Sequence, residues 1–329
     1  MSTAPLTITG QRPPINDVLA SRLVSKLVDL KAASDISGLE IEGRVGILVN
    51  KSGDRLRLPI LSETCLAPSC HDSLAYEFQA DVGERAFEAI KAHLFSIHKG
   101  TIKISDNKFP VFKISGLTES HTVDEFYNDQ GMRVRVTSRA DSPSEVLEVI
   151  CKQRLSILDV YSGSPDESAF DLRLSINDER KIQNFMRDSA RMTGKREKKR
   201  WSFESKGFVV DLTQVKSRDR SGDRTLYEVE VELKTGLIVE QLTRMNMGKS
   251  HFLYELVTDF IYAVRDLAWG FGQPGVAKVG GVVHDMARTR HPEELVRKYL
   301  KVVGGTQPIL GDYLYRISDE LKGVDSNAH

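Results

Sequence analysis

The residues that could do chemistry are charged side chains repeating at every second position. Over 227–233 the chain reads Tyr-Glu-Val-Glu-Val-Glu-Leu, so Glu228, Glu230 and Glu232 alternate with valines. Leu-Glu-Ile-Glu at 39–42 repeats the pattern with Glu40 and Glu42. In an extended strand this spacing puts the carboxylates on one face, about 7 Å apart. Asp211 and Thr213 share a face in the same way. So do the bases Arg133 and Arg135, Lys152 and Arg154, and the triplet Arg196, Lys198 and Arg200. On any one strand, such charges are ordinary solvated edge protection. As a set, strands carrying only acids and strands carrying only bases fit a closed barrel with a charged lumen.

The chemistry of that lumen follows from the residue types. Oxygen-only ligands from glutamates suit a hard Mg²⁺ or Mn²⁺ ion. Arginines and lysines suit phosphate oxygens, with Arg binding them two at a time. A metal bridging a terminal phosphate activates it and neutralises developing charge. A glutamate left free of the metal is placed to orient an attacking water. The implied substrate is a polyphosphate chain, and the implied reaction is hydrolytic phosphoryl transfer.

The positioning elements can be read from periodicity. Apolar residues from Ile15 to Leu30 recur at three- and four-residue spacing and predict a helix. Residues 39–50 alternate and predict a strand. Residues 81–98 predict a helix with Ala86, Phe87, Ile90, Leu94 and Ile97 as its buried stripe. Seven strand-like runs follow, at 109–116, 132–138, 147–160, 170–177, 198–204, 207–215 and 225–234. Turn residues separate several of them, at 128–131, 162–165 and 221–223. So many antiparallel-type strands in one block predict a barrel or sandwich within an α+β chain. Helices are expected again at 250–268, 292–303 and 309–321. The expected organisation is a disordered arm over 1–14, a catalytic domain over 15–270 and a helical extension over 271–329 packed on the same domain.

Other signals are weaker. The 329 residues hold 46 Lys+Arg against 46 Asp+Glu, a balance that disfavours a broad basic nucleic-acid groove. Three cysteines, Cys65, Cys70 and Cys151, show no zinc spacing and suit a reducing compartment. No run of about 18 apolar residues appears, so no membrane span is expected. The Gly-x-Gly-x-x-Gly pattern at 270–275 follows a predicted helix and contains Pro274, which marks a helix-ending loop rather than a dinucleotide site. His284 and His291 lack ligand spacing, and Cys65, Cys70 and His71 lack a fourth metal partner. Ser202 has no His/Asp constellation. The helices near 15–30 and 250–268 read as pedestals beneath the barrel, with a dimer or partner surface as the alternative.

The ordered set of charged strands resembles the fungal and protozoan type of mRNA 5′-triphosphatase, the capping enzyme beta subunit of the triphosphate tunnel metalloenzymes. The resemblance spans roughly residues 38–235. Glu40-Ile-Glu42 and Glu228-Val-Glu230-Val-Glu232 match the group's two defining glutamate motifs. Between them, in order, stand Arg135-Val-Thr137, Arg154 seven residues before Tyr161, the run from Asp171 to Glu179, Arg196-Glu-Lys198-Lys-Arg200, and Asp211-Leu-Thr213. The resemblance implies a closed eight-stranded antiparallel tunnel. In it Glu40, Glu42 and Glu232 would bind Mg²⁺ or Mn²⁺, and Arg135, Arg154, Lys198 and Arg200 would bind the γ-phosphate or its neighbours. Glu179 would position water or brace a base. Lys152, Arg196, Asp211, Thr213, Glu228 and Glu230 would support the lumen. Two departures stand out: Val209 replaces an Arg common in fungal members, and Arg154 replaces a Lys of the budding-yeast type.

The function so implied is removal of the γ-phosphate from triphosphate-ended nascent mRNA in the nucleus, with nucleoside triphosphate hydrolysis supported by Mn²⁺. A homodimer is expected, together with contacts to mRNA guanylyltransferase and the RNA polymerase II machinery. The short segment before residue 15 shows no guanylyltransferase-binding peptide. Two other readings remain open: a tunnel enzyme acting on inorganic polyphosphate, and a noncatalytic RNA-binding module. The second rests on Arg191 to Lys206, with seven basic residues against two acids.

Overall fold

A computed structural model describes residues 15–33, 36–60, 62–67, 69–100, 113–163, 169–219 and 222–270. The predicted arm, the helices at 292–303 and 309–321, the 271–329 extension and the loop beyond Gly270 lie outside these residues.

Eight long strands close into an antiparallel barrel. They are β1 (Leu39–Val49), β4 (Gly116–Asp129), β5 (Met132–Arg139), β6 (Val146–Tyr161), β7 (Asp171–Lys181), β8 (Arg191–Glu204), β9 (Phe208–Asp219) and β10 (Gly222–Leu233). Their order runs β10-β9-β8-β4-β5-β6-β7-β1, and pairing of β10 with β1 closes the ring. Two short strands extend one end: β2 (Thr64–Leu66) pairs with β6, and β3 (Glu77–Gln79) pairs with β1.

Five α-helices and a 3-10 turn at Arg187–Ser189 complete the described chain: α1 (Ile15–Ala33), α2 (Ser69–Leu74), α3 (Gly83–His98), α4 (Thr235–Asn246) and α5 (Leu253–Gly270). The barrel's outer face supplies the apolar half of each alternation, and the helices cover it. Ile41, Val45, Val229 and Val231 are buried in one core with Phe260, Val264 and Leu267 of α5 and Leu23 and Leu27 of α1. Gly43 lets α5 come this close, because a Cβ there would lie 2.3 Å from Val264 Cγ2. Phe87 of α3 packs against Tyr227 at 5.2 Å and edge-on to Trp201 at 6.1 Å between ring centroids. Each such aromatic removed from water contributes about 1.5–3 kcal/mol. Both helices expected as pedestals take that role.

Several elements differ from expectation, the short β2, α2 and β3 among them. The described part of the 109–116 run, from residue 113, is not strand until Gly116. β4 was instead invisible, because its sequence, Gly-Leu-Thr-Glu-Ser-His-Thr-Val-Asp-Glu-Phe-Tyr-Asn-Asp, is polar on both faces and its outer residues 118–121 stay exposed. Pairing with β5 and β8 holds it extended. α4 was also missed. It starts directly after β10, with Thr235 Oγ1 donating to the Leu39 carbonyl at 2.6 Å. The 128–131 turn is as expected: Gln130 and Gly131 have φ of 49° and 88° and join β4 to β5.

Candidate active site

Strand pairing brings the charged faces together inside the barrel. Glu42 stands opposite Glu232 across β1 and β10, and Arg44 opposite Glu230. Glu230 pairs in turn with Asp211, and Glu228 with Thr213. On the far wall Lys152 is opposite Glu179, Arg154 opposite Asn177, and Asp124 opposite Thr137. All fourteen expected site residues lie on these strands, and their paired positions face the common lumen.

The acidic wall is unevenly neutralised. Burial alone would raise the Glu42 carboxyl, but Arg44 and Lys152 beside it, with a hydroxyl bond from Ser175, bring it down to about 2. Arg44 joins Glu42 at 3.0 Å to Glu230 at 2.9 Å. Ser175 Oγ and Asn177 Nδ2 donate to Glu42 at 2.9 and 3.1 Å, and Asn177 Nδ2 also donates to Glu40 at 2.9 Å. Glu232 has no hydrogen bond or ion pair from any described residue. Burial, then the charges of Glu40, Asp211 and Glu230, push its carboxyl up to about 8. Burial and Glu42 likewise raise Glu40.

Among the described residues, no group of three acid, histidine or cysteine side chains is already set for a metal ion. Instead the Lys152 ammonium sits among the acids, on Glu40, 3.3 Å from Glu42 and 3.5 Å from Glu179. A cation thus occupies the space between β1 and β7. The raised Glu232 and Glu40 mark a surplus of negative charge that one ammonium does not cancel. Three oxygen donors from two adjacent strands fit a hard divalent ion.

The basic wall faces it. Lys198 reaches Asp124 at 2.6 Å. Arg200 reaches Asp211 at 2.9 Å, Glu230 at 3.6 Å and Thr213 Oγ1 at 3.0 Å. Burial works against the charge on Arg200, but Asp211 and Glu230 hold its pKa above the ordinary value. Arg135 lies 3.6 Å from Glu179 and 3.5 Å from Glu148. Burial, then Arg173 and Arg44, lower the pKa of Arg154, which has no ion pair among the described residues. Glu179 Oε1 and Asp211 Oδ1 are buried oxygens with no hydrogen-bond partner.

Val209 falls on the same face, opposite Glu232. An Arg there would lie beside this carboxylate; the valine leaves it without a basic neighbour on β9. Arg44, Asp124, Ser175 and Asn177 were missed in the sequence. Arg44 could have been found as the third even-numbered polar residue of β1. Asp124 could not, because its strand was invisible. The basic run at 191–206 divides: Arg196, Lys198 and Arg200 turn inward, while Arg191, Lys195, Lys199 and Lys206 are exposed. It is therefore not a continuous basic surface. Cys65 and Cys70 lie on β2 and α2 rather than in a loop, and all three cysteines are free. Among the described residues no helix is long and apolar enough to cross a membrane.

Comparison with known proteins agrees with this architecture. A family model described as mRNA capping enzyme, beta chain, matches residues 15–269. The structure of S. pombe Pct1 RNA triphosphatase superposes with a TM-score of 0.65 at 22% identity, covering 82% of this chain and 98% of that one. Pct1 in complex with the Spt5 CTD gives the same TM-score at 21% identity, with the same shares covered. No curated protein sequence matches the chain.

Proposed function

The chain belongs to the mRNA capping enzyme beta chain family, and on that basis we propose that it is a metal-dependent polynucleotide 5′-triphosphatase that removes the γ-phosphate of triphosphate-ended RNA. The observation that carries the reading is the pairing of opposites inside one barrel: an under-neutralised acidic wall, centred on Glu232, faces Lys198, Arg200, Arg135 and Arg154.

Glu40, Glu42 and Glu232 would hold Mg²⁺ or Mn²⁺, which when bound supplies a Lewis acid for the terminal phosphate. Lys198, Arg200, Arg135 and Arg154 bind the phosphate oxygens and orient the chain in the tunnel. Asp124 fixes the Lys198 ammonium, and Asp211 with Thr213 fixes the Arg200 guanidinium, so both arrive preorganised. Arg44 holds Glu42 ionised and ties β1 to β10 through Glu230. Glu179, whose Oε1 has only the long ion pairs to Lys152 and Arg135 and no hydrogen bond, orients the attacking water and accepts its hydrogen bond. The water oxygen bonds to the γ-phosphorus as its bond to the bridging oxygen breaks, and diphosphate-ended RNA, inorganic phosphate and the water's proton leave.

The same reading puts the protein in the nucleus, as a homodimer acting on nascent transcripts beside mRNA guanylyltransferase and the polymerase machinery. The complex of Pct1 with the Spt5 CTD supports a contact with the transcription machinery. With Mn²⁺, free nucleoside triphosphates are expected to be substrates as well. The test is release of labelled γ-phosphate from triphosphate-ended RNA with Mg²⁺. Equal rates for wild type and Glu232→Ala would refute the metal assignment.

A further inference from the structure

One lumen cluster is not used by the chemistry above. Phe126 on β4 stands opposite Arg135 on β5 and opposite Gly194 on β8. The Arg133 guanidinium carbon lies 4.6 Å from the Phe126 ring centroid, and that of Arg196 lies 5.5 Å from it. Arg133 and Arg196 are the next inward-facing residues after Arg135 and Lys198. The cluster thus lies one strand step, about 7 Å, nearer the β4–β5 hairpin than the phosphate-binding wall.

Three features set this cluster apart from the lumen bases described so far. Neither Arg133 nor Arg196 has an ion pair or hydrogen bond among the described residues, a state shared with Arg154, whereas Lys198, Arg200, Arg135 and Lys152 are all tied to carboxylates. Arg133 is exposed and Phe126 half-buried, so the cluster meets solvent at the hairpin end of β4 and β5. Gly194, across from Phe126, adds no side chain; a Cβ there would reach to 3.9 Å of Phe126 Cδ2, so the β8 side of the ring is left open.

A guanidinium laid on an aromatic ring is a flat, cationic surface, and nucleobases stack on such planes as well as on aromatic rings. We infer that Arg133 and Phe126 form a stacking lip for the first nucleoside of the substrate, which selects nucleoside and RNA triphosphates over inorganic tripolyphosphate. The inference rests on the triphosphatase reading and adds the residues that recognise the nucleoside end. The lip reads a base by its π-face and predicts no preference for one base over another.

The experiment compares kcat/KM for triphosphate-ended RNA and for tripolyphosphate, under one metal concentration, in wild type, Arg133→Ala, Arg133→Lys and Phe126→Leu. Loss of one stacking contact should lower the RNA-to-tripolyphosphate ratio about tenfold in Arg133→Ala and Phe126→Leu. Arg133→Lys keeps the charge and loses the plane, so its ratio should stay low. The lip is overturned if the variants lower both substrates by the same factor. It is also overturned if Arg133→Lys restores the wild-type ratio, because the contact would then be a point charge on phosphate. Arg133 is exposed, so its variants carry the test even if Phe126→Leu melts early. A wild-type protein that cleaves tripolyphosphate and not RNA would refute the underlying reading instead, and is a separate outcome.

Discussion

Two buried clusters of charge in this molecule have opposite characters. Near the C-terminal end of β1, Arg55 reaches Asp171 at 3.0 Å and Ser162 Oγ at 3.1 Å, and also donates to the Ala169 carbonyl. Asp171 accepts further bonds from the Leu48 and Ser162 amides at 2.8 and 2.9 Å. Beside it Arg173 grips Asp159 with two bonds, at 2.7 and 2.9 Å, and Tyr76 donates to the same carboxylate at 2.9 Å. Each acid there has its base. On the β1–β10 wall the acids outnumber the bases, and Glu232 has no hydrogen-bond or ion-pair partner among the described residues. Matched buried charge holds a fold in register, whereas unmatched buried charge is costly unless something outside the chain completes it. The contrast separates the structural end of the barrel from its working wall.

The largest expected effect breaks the working wall. Glu232→Ala should reduce phosphate release from RNA by about three orders of magnitude, a loss typical of a removed charge stabiliser, while the metal-free protein melts no lower than wild type. A lower melting temperature with retained activity would show that Glu232 is structural. Asp171→Ala should do the reverse. It strands Arg55 in a buried site and should cost about 3 kcal/mol of stability, read as a lower urea midpoint.

Smaller effects sharpen the contrast. A divalent ion at one hundred times its dissociation constant should stabilise wild type by about 2.7 kcal/mol, and Glu232→Ala should lose that shift. The pH dependence follows from the Glu232 carboxyl, raised to about 8. Below that pH the metal must displace a proton, so affinity should climb up to tenfold per pH unit as pH rises toward 8 and then level off. In the metal-free protein a raised carboxyl binds its proton more tightly folded than unfolded. Its contribution to stability is therefore lost as pH rises from the ordinary carboxylate range through 8. A metal affinity flat from pH 6 to 8 would contradict this assignment. The smallest effect is outside the barrel. The exposed Glu197–His121 pair, at 2.7 Å, should contribute under about 1 kcal/mol, and Glu197→Ala should leave turnover intact.

Much of this was legible in the sequence, and the reason is local. Glu228, Glu230 and Glu232 share a face because a strand repeats every two residues, whatever its neighbours. The same holds for Glu40 with Glu42 and for Arg196, Lys198 and Arg200. The edges of legibility are equally specific. β4 lacks apolar alternation, so Asp124 and Phe126 went unseen with it. Lys152 reads as a phosphate ligand by type, yet in the folded barrel it spans three carboxylates.

The sequence alone determined which side chains face the same way, and hence that acids and bases would line separate strands. It also determined the two apolar stripes that seat α1 and α5. Only the tertiary structure decided which strands are neighbours and in what register. That decision puts Glu232 beside Glu42, gives Arg44 to Glu42 and Glu230, and leaves Glu232 with Val209 opposite instead of a base. The reason is that strand periodicity depends on adjacent peptide units, whereas ion pairing depends on closure of a ring of strands separated by up to about 190 residues. Zero net charge is compatible with either a neutral surface or two opposed charged walls, and barrel closure makes it the second.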